Sequence, residues 1–238
     1  MSSKGERVPF PLTSEASAIA SSRSENIRIL ITKALFEGHW LPGDRINDED
    51  LSTELRVSRI SVREALSFLV ERRIVEKVHW KGYFVRKLSL EEIESIVEVR
   101  IAIEELAIRK LMQKKVPGVF EKMKDAIDSA EKLIDSSTYM EYMDRDFRFH
   151  ELIYEASGNV WIKNIIGDLR VHINLLRNLS MESSFVDAAR ISITEHRELL
   201  KQLIKGNRTR AMQILRAHFE THLSNIRRTY AGNDLRAE

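Results

Sequence analysis

"RVSRISVREALSFLVERR", residues 56–73, decides how the rest of the chain is read. Val62, Ala65, Leu66, Leu69 and Val70 recur at spacings of three and four, which is the apolar face of a helix. Arg59 and Arg63 stand on the opposite face, with Ser58 and Ser61 at the start. Ser61 and Glu64 have the spacing of a capping box, and Ser58 could also serve as the cap. A recognition helix enters the DNA major groove by its N-terminal residues, and arginine reads guanine through two parallel hydrogen bonds. Taken alone, the helix suits an amphipathic surface helix with solvated arginines equally well.

Its neighbours tip the balance. Upstream, Ile27, Leu30, Ile31, Ala34 and Leu35 form one stripe that Gly38 ends, and Pro42-Gly43 marks a turn. "NDEDLSTEL" (47–55) reads as a short helix capped by Asn47 or Asp48. Downstream, "IVEKV" (74–78) and "YFVRK" (83–87) are strands around the four-residue turn "HWKG" (79–82). Three helices followed by a hairpin is the winged helix-turn-helix order. Between Arg56 and Lys87 lie nine Lys/Arg against Glu64, Glu71 and Glu76, in a chain whose net charge is only +2. Such a segment is a candidate phosphate-binding face, with Lys81 and Gly82 on the wing, where glycine lets backbone approach closely. We expect Ser58, Arg59, Ser61, Arg63, Lys81 and Gly82 to contact DNA.

With 9 Gly, 4 Pro and no Cys in 238 residues, long helices are favoured, and disulfides and thiolate metal sites are excluded. No apolar run is long enough to span a bilayer, and residues 1–23, with six serines, lack the core of a signal peptide. They read as a disordered tail on a cytoplasmic protein. From Glu91 onward the period is helical, with helices expected at 90–114, 118–135, 138–157, 160–180, 185–205 and 207–230. The breaks fall at Pro117-Gly118, 135–137, 157–159, the serine cluster at 180–184 and Gly206-Asn207. The expected fold is mainly α. An N-terminal winged helix-turn-helix (24–88) precedes an antiparallel six-helix bundle (89–232).

"LPGDRINDEDLSTELRVSRISVREALSFLVERRIVEKVHWKGYFV" (41–85) resembles the winged helix of the GntR family of bacterial transcription regulators. Arg59, Arg63, Glu64, Ala65 and Leu66 fall on the "SR...REAL" core of that family's pattern, and Gly82 on its wing glycine. The resemblance implies that Arg59 and Arg63 contact bases and phosphates. The sequence departs from the pattern where Arg56 replaces the turn glycine, Ile60-Ser61 replaces Thr-Pro and Arg73 replaces a second glycine. "SLEEIESIVEVRIAIEELAIRKL", "DFRFHELIYEASGN", "EHRELLKQLIKGN" and "AMQILRAHF" are similar to landmarks of the FadR-like branch, which carries a helical ligand-sensing (FCD) domain. Six helices rather than seven would imply the VanR-like subgroup.

Asp146 and His150, one turn apart in "DRDFRFHELI", could be a hydrogen-bonded pair, an acid/base couple or half of a metal site. His196 and His218 fall within the later landmarks. One Asp and three His from three helices suit a borderline metal. In the resembled family the residues matching Asp146, His150, His196 and His218 hold a divalent metal whose coordination a small carboxylate completes. Zn, Ni and Mn all suit these ligands. Arg100 matches an arginine near that pocket and could hold the carboxylate; an exposed ion pair to Glu104 is its other reading. His222 reads as an outer neighbour, and Trp161, Phe147 and Phe149 as core.

The expectation is therefore a homodimeric repressor on a palindromic operator, controlled by a small carboxylic acid, and not an enzyme. A metal-dependent hydrolase would want a further acid at suitable spacing, and a regulator sensing the metal itself would use the same residues.

Overall fold

The computed structural model describes residues 23–114, 116–135, 139–179 and 185–234. The expected tail, apart from Arg23, lies outside these residues, as do 136–137 and the serine cluster at 180–184. The chain divides after Leu88 into two compact units.

The first unit runs α1 (Arg23–Phe36), β1 (Arg45–Ile46), α2 (Asp48–Glu54), α3 (Arg59–Glu71), β2 (Val75–Val78) and β3 (Gly82–Val85). Ile27, Ile31 and Leu35 of α1, Leu51 of α2 and Val62, Leu66 and Leu69 of α3 are buried together with Ile46, Val75 and Val85 of the strands. Asn47 caps α2 by accepting from Glu49 N, and Ser58 caps α3 by accepting from Ser61 N. Ser58 rather than Ser61 is thus the cap, because α3 begins at Arg59.

The sheet has the order β1-β3-β2, antiparallel throughout. β1 was not expected: two residues beside Pro42-Gly43 carry no alternation to read, and they are held by pairing with Tyr83 and Phe84. Val78 pairs with Gly82, so the hairpin loop is His79-Trp80-Lys81 rather than four residues. Trp80, at φ 62°, is 93% exposed at its tip.

Both departures at glycine positions leave their backbone in the left-handed region, Arg56 at φ 52° and Arg73 at φ 57°. Each closes a helix by paired bonds: Val57 N to Ser52 O and Arg56 N to Thr53 O after α2, Ile74 N to Leu69 O and Arg73 N to Val70 O after α3.

The second unit holds α4 (Leu90–Gln113), α5 (Val119–Leu133), α6 (Tyr139–Ser157), α7 (Val160–Leu179), α8 (Phe185–Ile204) and α9 (Arg208–Asp234). Ser89 and Glu92 make a reciprocal capping box that fixes the start of α4. Helix α6 packs on α4 and α5, and α9 on α4 and α8. Phe147, Phe149, Ile153, Leu199, Leu215 and Phe219 lie in one core. Trp161 does not join them: it is 70% exposed in the first turn of α7, beside exposed Val160. Among the described residues no helix is long and apolar enough to cross a membrane. Within this apolar bundle, Arg100, Glu104, Asp146, His150, Ser192, His196 and His218 are also buried, and they assemble the site below.

Candidate metal centre and DNA-reading helix

His150 comes from α6, His196 from α8 and His218 from α9, each at most 1% exposed. Their Nε2 atoms converge, 3.0 Å apart for His196–His150 and 3.3 Å for His196–His218. The other ring nitrogen of each faces a carboxylate. His150 Nδ1 bonds to Glu104, and His218 Nδ1 lies 2.8 Å from Glu195 Oε2. His196 Nδ1 lies 3.6 Å from Asp146 Oδ1. Asp146 therefore adjoins the group from the Nδ1 side of His196, where Oδ1 also accepts from Ser192 Oγ at 2.8 Å and Tyr142 Oη at 3.2 Å.

This arrangement has a chemical consequence. A carboxylate at Nδ1 makes that nitrogen the N–H and leaves a lone pair on Nε2. Burial, and the two neighbouring imidazoles, push the His218 pKa well below its usual value, so it is neutral. Burial raises the Glu104 carboxyl, while Arg100 and the Tyr154 hydroxyl, which donates at 2.6 Å, draw it back. Three Nε2 lone pairs at about 3 Å repel one another unless a cation lies among them. The donor set, all nitrogen and without thiolate, fits a divalent metal of the borderline class.

Beside this centre lies Arg100, 4% exposed, with Nε 3.9 Å from Glu104 Oε2. Its ion pair with Glu104 is buried rather than exposed. Its guanidinium sits over the Phe219 ring at 4.5 Å, and Nε and Nη2 have no hydrogen-bond partner. Two buried, unmet donors of one cation call for an anionic acceptor. His222 stands edge-on to His218, with ring centroids 4.5 Å apart. Sequence reading did not single out Glu195, Tyr154 or Ser192. Glu195 could have been found beside His196, while Tyr154 and Ser192 had no signal of their own.

On α3, the expected recognition helix, Arg59 and Arg63 are exposed, and Ser58 Oγ lies 2.8 Å from Ser61 Oγ. Both arginines reach back to Asp48, the first residue of α2. The Arg59 hydrogen bonds, helped by Arg63, lower the Asp48 pKa to about 2. Gly82, at φ 100°, opens β3 next to Lys81, and a Cβ there would stand 3.6 Å from the Arg45 side chain.

Comparison with known proteins follows this division. The profile for "Bacterial regulatory proteins, gntR family" matches residues 23–85, and that for "FCD domain" matches 95–221, more than half of the chain. The uncharacterized HTH-type transcriptional regulator YdhC of Bacillus subtilis is 26% identical, over 82% of this chain and 88% of its own. The HTH-type transcriptional repressor GlaR of Escherichia coli is 28% identical, over 82% of this chain and 96% of its own. A crystal structure of a GntR transcriptional regulator from Rhodococcus sp. RHA1 superposes with a TM-score of 0.76 at 22% identity, over 87% of this chain and 98% of that one.

Proposed function

Because the chain belongs to the GntR family of bacterial regulatory proteins and carries an FCD domain, it is a transcription regulator that binds DNA, and we propose that a small carboxylate, docked at a divalent metal, sets its operator affinity. His150, His196 and His218 hold the metal, Zn, Ni or Mn; Asp146, expected as a fourth ligand, stands instead on the Nδ1 side of His196, where it orients that ring. The metal supplies a Lewis-acidic docking point for an anionic oxygen. Arg100 takes the other end of the carboxylate charge. The observation that carries this reading is the buried Arg100 guanidinium, with two donors unmet, beside three converging imidazoles.

In this proposal residues 24–88 form the DNA-binding domain and 89–232 the effector-binding and dimerisation domain. The six helices α4–α9 suit the shorter, VanR-like branch. Two copies present Ser58, Arg59, Ser61 and Arg63 to the half-sites of a palindrome, with Lys81 and Gly82 against the backbone. The ligand acts through a coupling free energy between pocket and operator. Repression is the sign we assign, supported by the likeness to GlaR, itself a repressor.

The test is a thermal melt of metal-loaded and chelator-stripped protein against a panel of small carboxylic acids. An acid at one hundred times its Kd stabilises the loaded protein by about 2.7 kcal/mol. It should lose that effect in the stripped protein and in Arg100→Gln. An acid that stabilises all three equally, or a melt indifferent to metal and to every acid, sinks the proposal.

A further inference from the structure

Neither recognition-helix arginine approaches DNA unencumbered. Arg59 donates through Nε to Asp48 Oδ2 at 3.0 Å and through Nη2 to Oδ1 at 3.1 Å, and its Nη1 lies 3.2 Å from Glu49 Oε2. Every nitrogen of that guanidinium thus faces a carboxylate. Arg63 donates only Nε, 2.5 Å from Asp48 Oδ2. Its two terminal nitrogens donate no hydrogen bond to an acid among the described residues. Both side chains are about half exposed, whereas the Asp48 side chain is 14% exposed. One anchored carboxylate therefore treats two arginines differently. It fixes the plane of Arg63 and leaves its outer fork open, and it occupies Arg59 completely.

We infer that Asp48 determines how sharply this regulator separates its operator from other DNA. The inference rests on the proposal that Arg59 and Arg63 read DNA. Binding to arbitrary sequence comes from phosphates exchanging counterions for Lys and Arg. An arginine already neutralised by Asp48 and Glu49 contributes little to that exchange, and the acid itself repels the backbone. A base edge that takes two parallel hydrogen bonds from the fork compensates for the lost contacts to Asp48 as a phosphate does not. Arg63 can engage while its Nε stays on Asp48. Arg59 is released only where the sequence repays it.

Asp48 also begins α2, where any anion favours the helix terminus. Asp50, an exposed acid in the same first turn with no bond to either arginine, separates the two roles. The experiment compares wild type, Asp48→Asn, Asp50→Asn and Arg63→Ala. The probes are the duplex that wild type enriches from a random pool and a scrambled duplex of equal length.

Asp48→Asn should bind the scrambled duplex about fivefold to tenfold more tightly, with a salt slope steeper by about one. The ratio of the two affinities should fall about tenfold, while Asp50→Asn keeps the wild-type ratio within about twofold. A ratio for Asp48→Asn equal to that of wild type or of Asp50→Asn overturns the inference, even if Arg63→Ala abolishes binding. If Arg63→Ala binds the enriched duplex as wild type does, the DNA-reading proposal falls and this inference with it.

Discussion

A histidine binds metal through one nitrogen, but it is the other that decides whether it can. Glu195 holds His218 Nδ1 at 2.8 Å and also accepts from Thr221 Oγ1 at 3.0 Å, so the ring is set before any ion arrives. Glu195→Gln keeps the shape and removes the anion. We expect metal affinity about tenfold to a hundredfold weaker in competition with a chelator, while the stripped protein melts close to wild type. Unchanged affinity would show that the ring is set by packing alone. The three histidines were legible because they stand on recognisable helices, but Glu104 was not. An Arg and a Glu four apart normally form a solvated pair, and Arg100–Glu104 was weighed as one. Yet Ile93, Val97, Arg100, Glu104, Ala107 and Leu111 follow a single three-and-four stripe, so the pair had to lie on the buried face. Trp161 misled in the opposite direction. Its size suggested core, but the first turn of α7 turns it outward.

At the scale of elements, periodic helices were read to within a residue or two, except that α9 continues to Asp234. Order in the short pieces comes from partners rather than pattern: β1 exists only as the neighbour of β3, and the hairpin loop is fixed by the Val78–Gly82 pair. The turn between α2 and α3 carries a measurable strain. A side chain at left-handed φ costs about 1–2 kcal/mol, offset in part by the extra unfolded-state freedom of glycine. Arg56→Gly should therefore stabilise the protein by about 0.5–1 kcal/mol in urea unfolding, with the m-value unchanged. A loss of stability would mean that the Arg56 side chain, exposed as it is, does more for the fold than its backbone costs.

Among the described residues, each of the two units buries apolar side chains of its own. The three histidines proposed to hold the metal and the carboxylates behind them all belong to the second unit, Ser89–Glu238. Calorimetry of the full chain should show two transitions, of which chelation lowers only one, by several degrees, and Arg56→Gly raises only the other. If chelation moves both together, the two units melt as one cooperative body. The basic segment and the helical bundle were both legible as separate regions, because charge and period change near residue 88.

The placement of the aromatic rings also decides how the molecule looks under ultraviolet light. None of its three tryptophans is buried: Trp80 is 93% and Trp161 70% exposed, and Trp40 is partly so. Indole emission from the folded state already reports water, so unfolding changes its colour little. The same placement makes Trp80, at the end of the hairpin, an internal lamp: if the wing meets DNA as proposed, its emission should dim when operator is added.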